Sequence, residues 1–200
     1  MGRAEAVNRL SINCDMRTEL SGAQVWIRRY RAEDVALLFE AARESISDTV
    51  MWLPWCHPNY SLMDSTAFIL SSLEAWERGQ RYDFAVFDVA TNIFLGGVGL
   101  SQPNWIHRFA NLGYWTRSSC RGRGVAVAAA RLAARLGFED LGLSRLEIVI
   151  ATGNQASQRV AEKAGAKREG VLRNRLLIAN RPHDAVMYSL VPADMTEDQR

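Results

Sequence analysis

The stretch Phe109-Ala110-Asn111-Leu112-Gly113-Tyr114-Trp115-Thr116, followed closely by Cys120-Arg121-Gly122-Arg123-Gly124-Val125-Ala126, decides the fold. Its first part reads as a strand closing a meander. Its second part is a glycine turn into a helix, along which Val125, Ala128, Leu132 and Leu136 recur at helical spacing. A strand, a glycine turn and a helix in that order mark a crossover, and a crossover needs a further strand to return to. Residues 146–150, Leu-Glu-Ile-Val-Ile, supply it as an apolar, β-branched run of the buried type.

The turn has a chemistry of its own. Glycines allow a tight bend and let a ligand approach the backbone without a Cβ in the way. The first amides of the helix lack intrahelical acceptors, and the helix dipole adds partial positive charge there. A diphosphate fits such a place, with Arg121 and Arg123 adding attraction. Taken alone, the turn is equally an ordinary glycine loop. Two other phosphate motifs are excluded. Val127 stands where the dinucleotide fingerprint needs its third glycine, and the chain has no Gly-Lys-Ser/Thr loop.

Upstream, residues 25–30 read as a strand, and Ala32-Glu33-Asp34 opens a helix with Val35, Leu38, Ala42 and Ile46 on one face. A Trp- and Pro-rich loop covers 51–60. A helix then runs through Phe68, Leu70, Leu73 and Trp76 to Gly79. Residues 82–88 form a strand, turned by Thr91-Asn92 into an antiparallel partner at 93–100. Downstream, Asn154 caps a helix whose Ala156, Val160, Ala161 and Ala164 are expected to face inward, and Gly165 ends it. Strands near 166–172 and 184–191 complete the domain. The expected class is α/β (α+β): a mixed, mostly antiparallel twisted sheet with helices on both faces and one splayed parallel strand pair.

Bulk properties agree with one domain. The chain has 200 residues, 48% hydrophobic and 23% charged, enough for a sizeable core. Residues 1–23 read as a loose N-terminal extension, 24–193 as the domain and 194–200 as a frayed tail. A net charge of +2 does not call for nucleic acid or a membrane as partner. Arg28, Arg29 and Arg31 read as a solvated strand edge. Cys14, Cys56 and Cys120 are scattered and lack metal-ligand spacing, and His57, His107 and His183 lie in unlike contexts, so no metal is expected. No run is long and apolar enough to span a bilayer, no signal-peptide core opens the chain, and Ala6 breaks the myristoylation pattern that Met1-Gly2 begins. A reduced cytoplasmic protein is the expectation.

In order and spacing, Thr49-Val50-Met51-Trp52-Leu53-Pro54-Trp55, Gly113-Tyr114-Trp115, Arg121-Gly122-Arg123-Gly124-Val125-Ala126 and Asn154-Gln155-Ala156-Ser157 form a recognisable series. Lys163-Ala164-Gly165, Arg168-Glu169-Gly170 and Asp184-Ala185-Val186-Met187-Tyr188 complete it. Across residues 25–191 the chain resembles the GNAT superfamily of N-acetyltransferases, in particular its ribosomal-protein N-terminal acetyltransferase branch. The resemblance implies acetyl-CoA as co-substrate, without a metal. Its pyrophosphate would sit on backbone amides of Arg121, Gly122, Arg123, Gly124, Val125 and Ala126. Its pantetheine would lie between the splayed strands, with Asn154 on the far side and the main chain of Trp115, Thr116 and Arg117 at the thioester. It also implies a possible homodimer.

The chain departs from the family pattern at Ser119, where relatives often have Gln or Arg, and at Ala166, where a Phe is common. Many relatives place an acidic Tyr at the position of Ala161. The ribosomal-protein branch uses a Ser one turn earlier, which matches Ser157.

Acetyl transfer needs a neutral amine to attack and a thiolate to leave. Positioning supplies up to roughly 7–11 kcal/mol and oxyanion donors roughly 3–4 more. A thiol with a pKa of about 8.5 leaves readily, so a hydroxyl suffices as donor to sulfur. Ser157 is the expected donor, against the alternative of a helix cap. Glu169 is the expected base, with Glu44 and Asp48 as rivals. Trp52, Trp55 and Tyr114 are expected at the acceptor. The acceptor is expected to be a protein N-terminal α-amine. The alternatives are a small-molecule amine (antibiotic, polyamine or amino acid), or an acyl-CoA-binding protein without turnover.

Overall fold

The computed structural model describes residues 16–53 and 55–195. Eight strands form one sheet: β1 (Glu19–Ser21), β2 (Val25–Arg29), β3 (Arg81–Asp88), β4 (Phe94–Asn104), β5 (Phe109–Thr116), β6 (Arg145–Ala151), β7 (Lys167–Ile178) and β8 (Arg181–Leu190). Their order is β1-β2-β3-β4-β5-β6-β8-β7. Neighbours are antiparallel except β5 and β6, which are parallel and joined by a helical crossover. The helices are α1 (Val35–Thr49), α2 (Leu62–Glu77), α3 (Val125–Glu139) and α4 (Gln155–Ala164). The fold class expected from the sequence is the one observed.

Alternation along β3 explains the layering. Phe84 and Val86 enter the main core with Ala129, Ala133 and Leu136 of α3. Ala85 and Phe87 point the other way, to a smaller core with Leu38 and Ala41 of α1 and Ile69 of α2. The sheet is thus a central layer, with α1 and α2 on one face and α3 on the other. The helix ends follow local chemistry. Ser61 and Asp64 form a reciprocal capping box at α2. The Asn154 side chain accepts the Ser157 amide at α4, and Gly165 closes that helix at φ +103.

Several expectations are corrected. β1 lies within the stretch read as loose extension: Met16 is buried, and Arg17 binds Asp140 through its backbone and its guanidinium. Residues 1–15, the rest of that extension, lie outside the described residues, as do 196–200. At the other end Asp194 pairs with Lys167, and Met195 is buried. Arg28 is not a solvated edge residue. It is buried, in a two-pronged contact of 2.7 Å per prong with buried Asp34, and its guanidinium lies 4.6 Å from the Phe87 ring centroid. Leu70 and Ala156 are exposed, and Ile69 takes the buried position on α2. The β7–β8 hairpin reaches well beyond the expected strands, to a turn with positive φ at Ala179 and Asn180. Its outer half is mostly exposed, with Leu176 and Ile178 part-buried at the rim of the cleft between β5 and β6.

Candidate active site

β5 and β6 pair at Phe109–Arg145, Ala110–Leu146 and Asn111–Glu147, and no further. Beyond that point β5 stays on β4 as far as Thr116, and β6 stays on β8 as far as Ala151. Each strand is held by its outer neighbour, so the pair opens into a V-shaped cleft of about 550 Å³. Gly96 permits this at the β4 side. With φ +147, it lies so close to β5 that a Cβ would stand 2.3 Å from the Trp115 carbonyl oxygen.

Main chain of β5 and of the glycine bend forms part of the cleft wall, beside apolar side chains such as Trp52, Ile148 and Ile150. The Arg117 amide donates to the Leu95 carbonyl at 2.8 Å. Pleating therefore turns the Trp115 amide toward β4 as well, and those of Tyr114 and Thr116 toward the side that β6 has left. The Thr116 hydroxyl is buried there without a hydrogen-bond partner among the described residues. At the cleft's other end Gly122 and Gly124 hold φ +74 and +83, and nothing lies within 4 Å of where a Gly122 Cβ would be. The first helical bond near that end runs from Ala128 to the Gly124 carbonyl. The amides of Val125, Ala126 and Val127 are thereby left for an anion.

α1 braces the turn. Glu44 accepts from the Ser119 amide at 2.7 Å and from Arg117 Nε at 2.5 Å, Ser45 Oγ accepts from the Ser118 amide at 3.0 Å, and Asp48 pairs with Arg121 at 3.1 Å. Gln24 donates to the Arg123 carbonyl at 2.7 Å. Hydrogen bonds from Ser119 and Arg117 outweigh desolvation and lower the pKa of Glu44; the Ser118 hydroxyl and Arg121 lower that of Asp48. Neither carboxylate is disposed to take up a proton. Arg117 leaves the expected cofactor set, because its amide and its guanidinium are both engaged. The Trp115 amide is turned toward β4, while the residue lines both the cleft and the cavity on the other face of β5.

Ser157 faces the cleft from α4, while Ala161, one turn on, is fully buried. The Ser157 hydroxyl donates to Tyr114 Oη at 3.2 Å, and the Tyr114 hydroxyl donates to the Ser157 carbonyl at 2.9 Å. Burial pushes the Tyr114 phenol up to about 12, so it stays protonated. Asn154 lines the cleft beside them.

Glu169 is corrected outright. It sits at the closed end of the sheet, beside the start of β6. There Arg145 holds both its oxygens at 2.7 and 2.5 Å, and the Ser189 hydroxyl donates to it at 2.7 Å. These bonds bring its pKa down to about 2. A carboxylate so held and so placed does not serve as base at the cleft.

The two tryptophans expected together are separated. Trp52 packs over Gly153, 3.3 Å from where a Cβ would stand, and roofs the cleft. Trp55 meets Trp115 edge-on at 5.3 Å and lines a second cavity, of about 220 Å³, on the α1/α2 face. The cavities share Leu53, Gly113, Tyr114 and Trp115. The second one contains Tyr30 and Asp83, which sequence reasoning passed over. The signal was available: Asp83 shares its period-2 face with Ala85 and Phe87, and an acid on a buried face is unusual.

Among known proteins, the acetyltransferase (GNAT) domain family matches residues 24–167. The chain belongs to the GNAT acetyltransferase family. The cleft is thus the splayed-strand feature of a GNAT domain, seen here from its own hydrogen bonding. YdaF of Bacillus subtilis (strain 168), carried under a provisional name as a ribosomal N-acetyltransferase, is 36% identical over 96 residues, which is 48% of this chain and 52% of YdaF. The chain thus spans about half the length of that curated relative. A Vibrio cholerae structure, provisionally a ribosomal-protein-serine acetyltransferase, is 29% identical with a TM-score of 0.77, covering 87% of this chain and 97% of that one. Mycobacterium smegmatis RimJ, solved with CoA-disulfide, shares the GNAT fold at a TM-score of 0.79 and 20% identity, covering 88% of this chain and 85% of RimJ. No helix of the described residues is long and apolar enough to cross a membrane.

Proposed function

We propose that this GNAT protein transfers the acetyl group of acetyl-CoA to a primary amine, and that its acceptor is a protein N-terminal α-amine, on a ribosomal protein. The observation that carries the first half is the parting of β5 from β6 beside unpaired amides at the start of α3. The names of YdaF and of the Vibrio cholerae relative support the second half.

In this reading the α3 amides of Val125 and Ala126, with the open bend at Arg121, Gly122, Arg123 and Gly124, hold the pyrophosphate. Asn154 steadies pantetheine, and the amides of Tyr114 and Thr116 face the thioester oxygen, a contribution of roughly 3–4 kcal/mol to stabilising the developing oxyanion. Ser157 hands a proton toward sulfur by turning its hydroxyl away from Tyr114 Oη, to which it otherwise donates. The protein works in the cytoplasm, and the resemblance implies a homodimer.

The test is an acceptor screen with acetyl-CoA, comparing peptides that begin with free Ser or Ala against polyamines, aminoglycosides and amino acids. Free-thiol release and the acetyl mass shift are read together. Faster turnover of peptides supports the reading, and faster turnover of small amines replaces the acceptor. Coenzyme binding without thiol release from any pair would make the protein a binder and overturn the enzyme reading.

A further inference from the structure

The second cavity has an unusual floor. Asp83, Gly99 and Gly113 lie directly opposite one another on β3, β4 and β5, on the face toward α1 and α2. Gly97 adjoins them. Because Gly97, Gly99 and Gly113 carry no side chains, Tyr30 Oη and Trp115 Nε1 settle over Gly97, the Asp83 carboxylate settles over Gly99, and the floor at Gly113, on the strand that borders the cleft, is left clear. Asp83 Oδ1 hangs over β4, 2.5 Å from where a Gly99 Cβ would stand. Two strand spacings, about 10 Å, separate Asp83 from Gly113 at Cα, and the overhang removes a good part of that.

The polar groups here are poorly satisfied. Arg81 Nε lies 2.5 Å from Asp83 Oδ2, yet neither atom has an aligned hydrogen bond among the described residues. Another Arg81 nitrogen reaches Ser71 at 3.2 Å, and its guanidinium leans on the Phe68 ring at 5.5 Å. The buried Tyr30 hydroxyl finds no partner among the described residues, and it lies 2.7 Å from where a Gly97 Cβ would stand. A buried polar group without a partner costs free energy unless a ligand supplies one. The walls are aromatic: Tyr30, Trp55, Tyr60, Phe68 and Trp115. An acid at one end, paired with Arg81, ring faces around it and a Tyr30 hydroxyl oxygen free to accept suit an ammonium ion.

We propose that Asp83 is the proton acceptor for the incoming ammonium, in a glycine-floored pocket that admits a compact primary amine. The inference rests on the acetyl-transfer reading. The ammonium gives one proton to the Asp83 carboxylate, directly or through one water, and the nitrogen lone pair then forms the C–N bond to the acetyl carbon. The C–S bond breaks, sulfur keeps that electron pair, and the second nitrogen proton passes to the thiolate by way of Ser157. Asp83 then returns its proton to solvent. Burial outweighs the attraction of Arg81 and the hydrogen bond of Ser72 and raises the Asp83 pKa, the direction that strengthens a base. The groups facing it are Arg81 on its own strand, Tyr30 just after β2, Ser72 from α2 and Tyr60 from the loop before α2.

The experiment measures kcat/KM against pH for wild type and Asp83→Asn, with acetyl-CoA and a hexapeptide bearing a free N-terminal Ser. Activity should rise with pH as Asp83 loses its proton. The variant should lose roughly 100-fold at neutral pH, lose that acidic limb, and recover once the amine arrives neutral at high pH. Coenzyme affinity should not change, which checks that the variant folds. Gly113→Ala adds a methyl with nothing nearer than 4.0 Å. It should raise the amine KM about tenfold with the coenzyme Kd unchanged. An acidic limb that keeps its wild-type midpoint in Asp83→Asn, instead of moving up to the amine's own range, overturns the role of Asp83, with or without lost activity. Wild type that binds coenzyme but acetylates no amine overturns the parent reading and this one together.

Discussion

β5 divides two cavities built from different materials. On its β6 side the cleft presents main-chain amides and glycine bends; on its α1/α2 side the second cavity presents rings, a carboxylate and a phenol. Short of proline, no substitution removes a main-chain amide, and in the proposed function these amides meet a diphosphate and a thioester carbonyl. Side chains vary freely and suit a choice among acceptors. Placing both on one strand brings the invariant and the variable part of the reaction to Gly113, Tyr114 and Trp115.

The hardest blow to this division is at the glycine where β4 presses against the end of β5. Gly96→Ala puts a Cβ 2.3 Å from the Trp115 oxygen and 2.9 Å from Thr116 Cα. It should cost more than about 3 kcal/mol and lower the thermal midpoint by roughly 10 °C, measured by circular dichroism. A midpoint within about 2 °C of wild type would show that β5 does not depend on this close approach.

A smaller loss should isolate chemistry within the cleft. Ser157→Ala removes a hydroxyl but leaves the amides in place, so kcat should fall roughly 100-fold with the coenzyme Kd unchanged. An unaltered kcat would reduce Ser157 to a capped first-turn residue.

Gly124→Val attacks the turn instead. A β-branched residue at φ +83 is strained, and distorting the start of α3 should weaken coenzyme binding about tenfold by calorimetry. The second cavity, on the opposite face of β5 and without Gly124 in its lining, should be unaffected.

Least of all should come from Glu169→Gln, which touches neither cavity. Its kcat/KM profile should keep the wild-type acidic limb. The Glu169 pKa is depressed from 4.5 to about 2 in the folded protein, so its stabilisation is present above about pH 4.5 and fades as pH falls toward 2. Because the side chain is 42% exposed, the wild-type advantage in melting experiments should stay below about 1 kcal/mol. A lost limb would return Glu169 to the mechanism.

Glu169 and Asp83 also show where sequence reasoning ran out. Glu169 follows a family-like pattern, yet its properties come from Arg145 and Ser189, 24 and 20 residues away along the chain. Asp83 has no motif around it; its importance arises from a cross-strand register with Gly99 and Gly113 and from the helices that cover it. Arg28 went the same way: an arginine-rich strand end looks solvated until Asp34 and Phe87 close over it.

What the sequence determined by itself was local. The two periodicities, the Asn154 cap and the glycine turn depend on residues a few positions apart, where spacing and backbone preference act directly, so the strands, helices and glycine bend were legible. Only the tertiary structure decided which amides of β5 lie open, which tryptophan enters which cavity, and which carboxylate is desolvated. Those are set by strand register and burial, which join residues far apart in the chain.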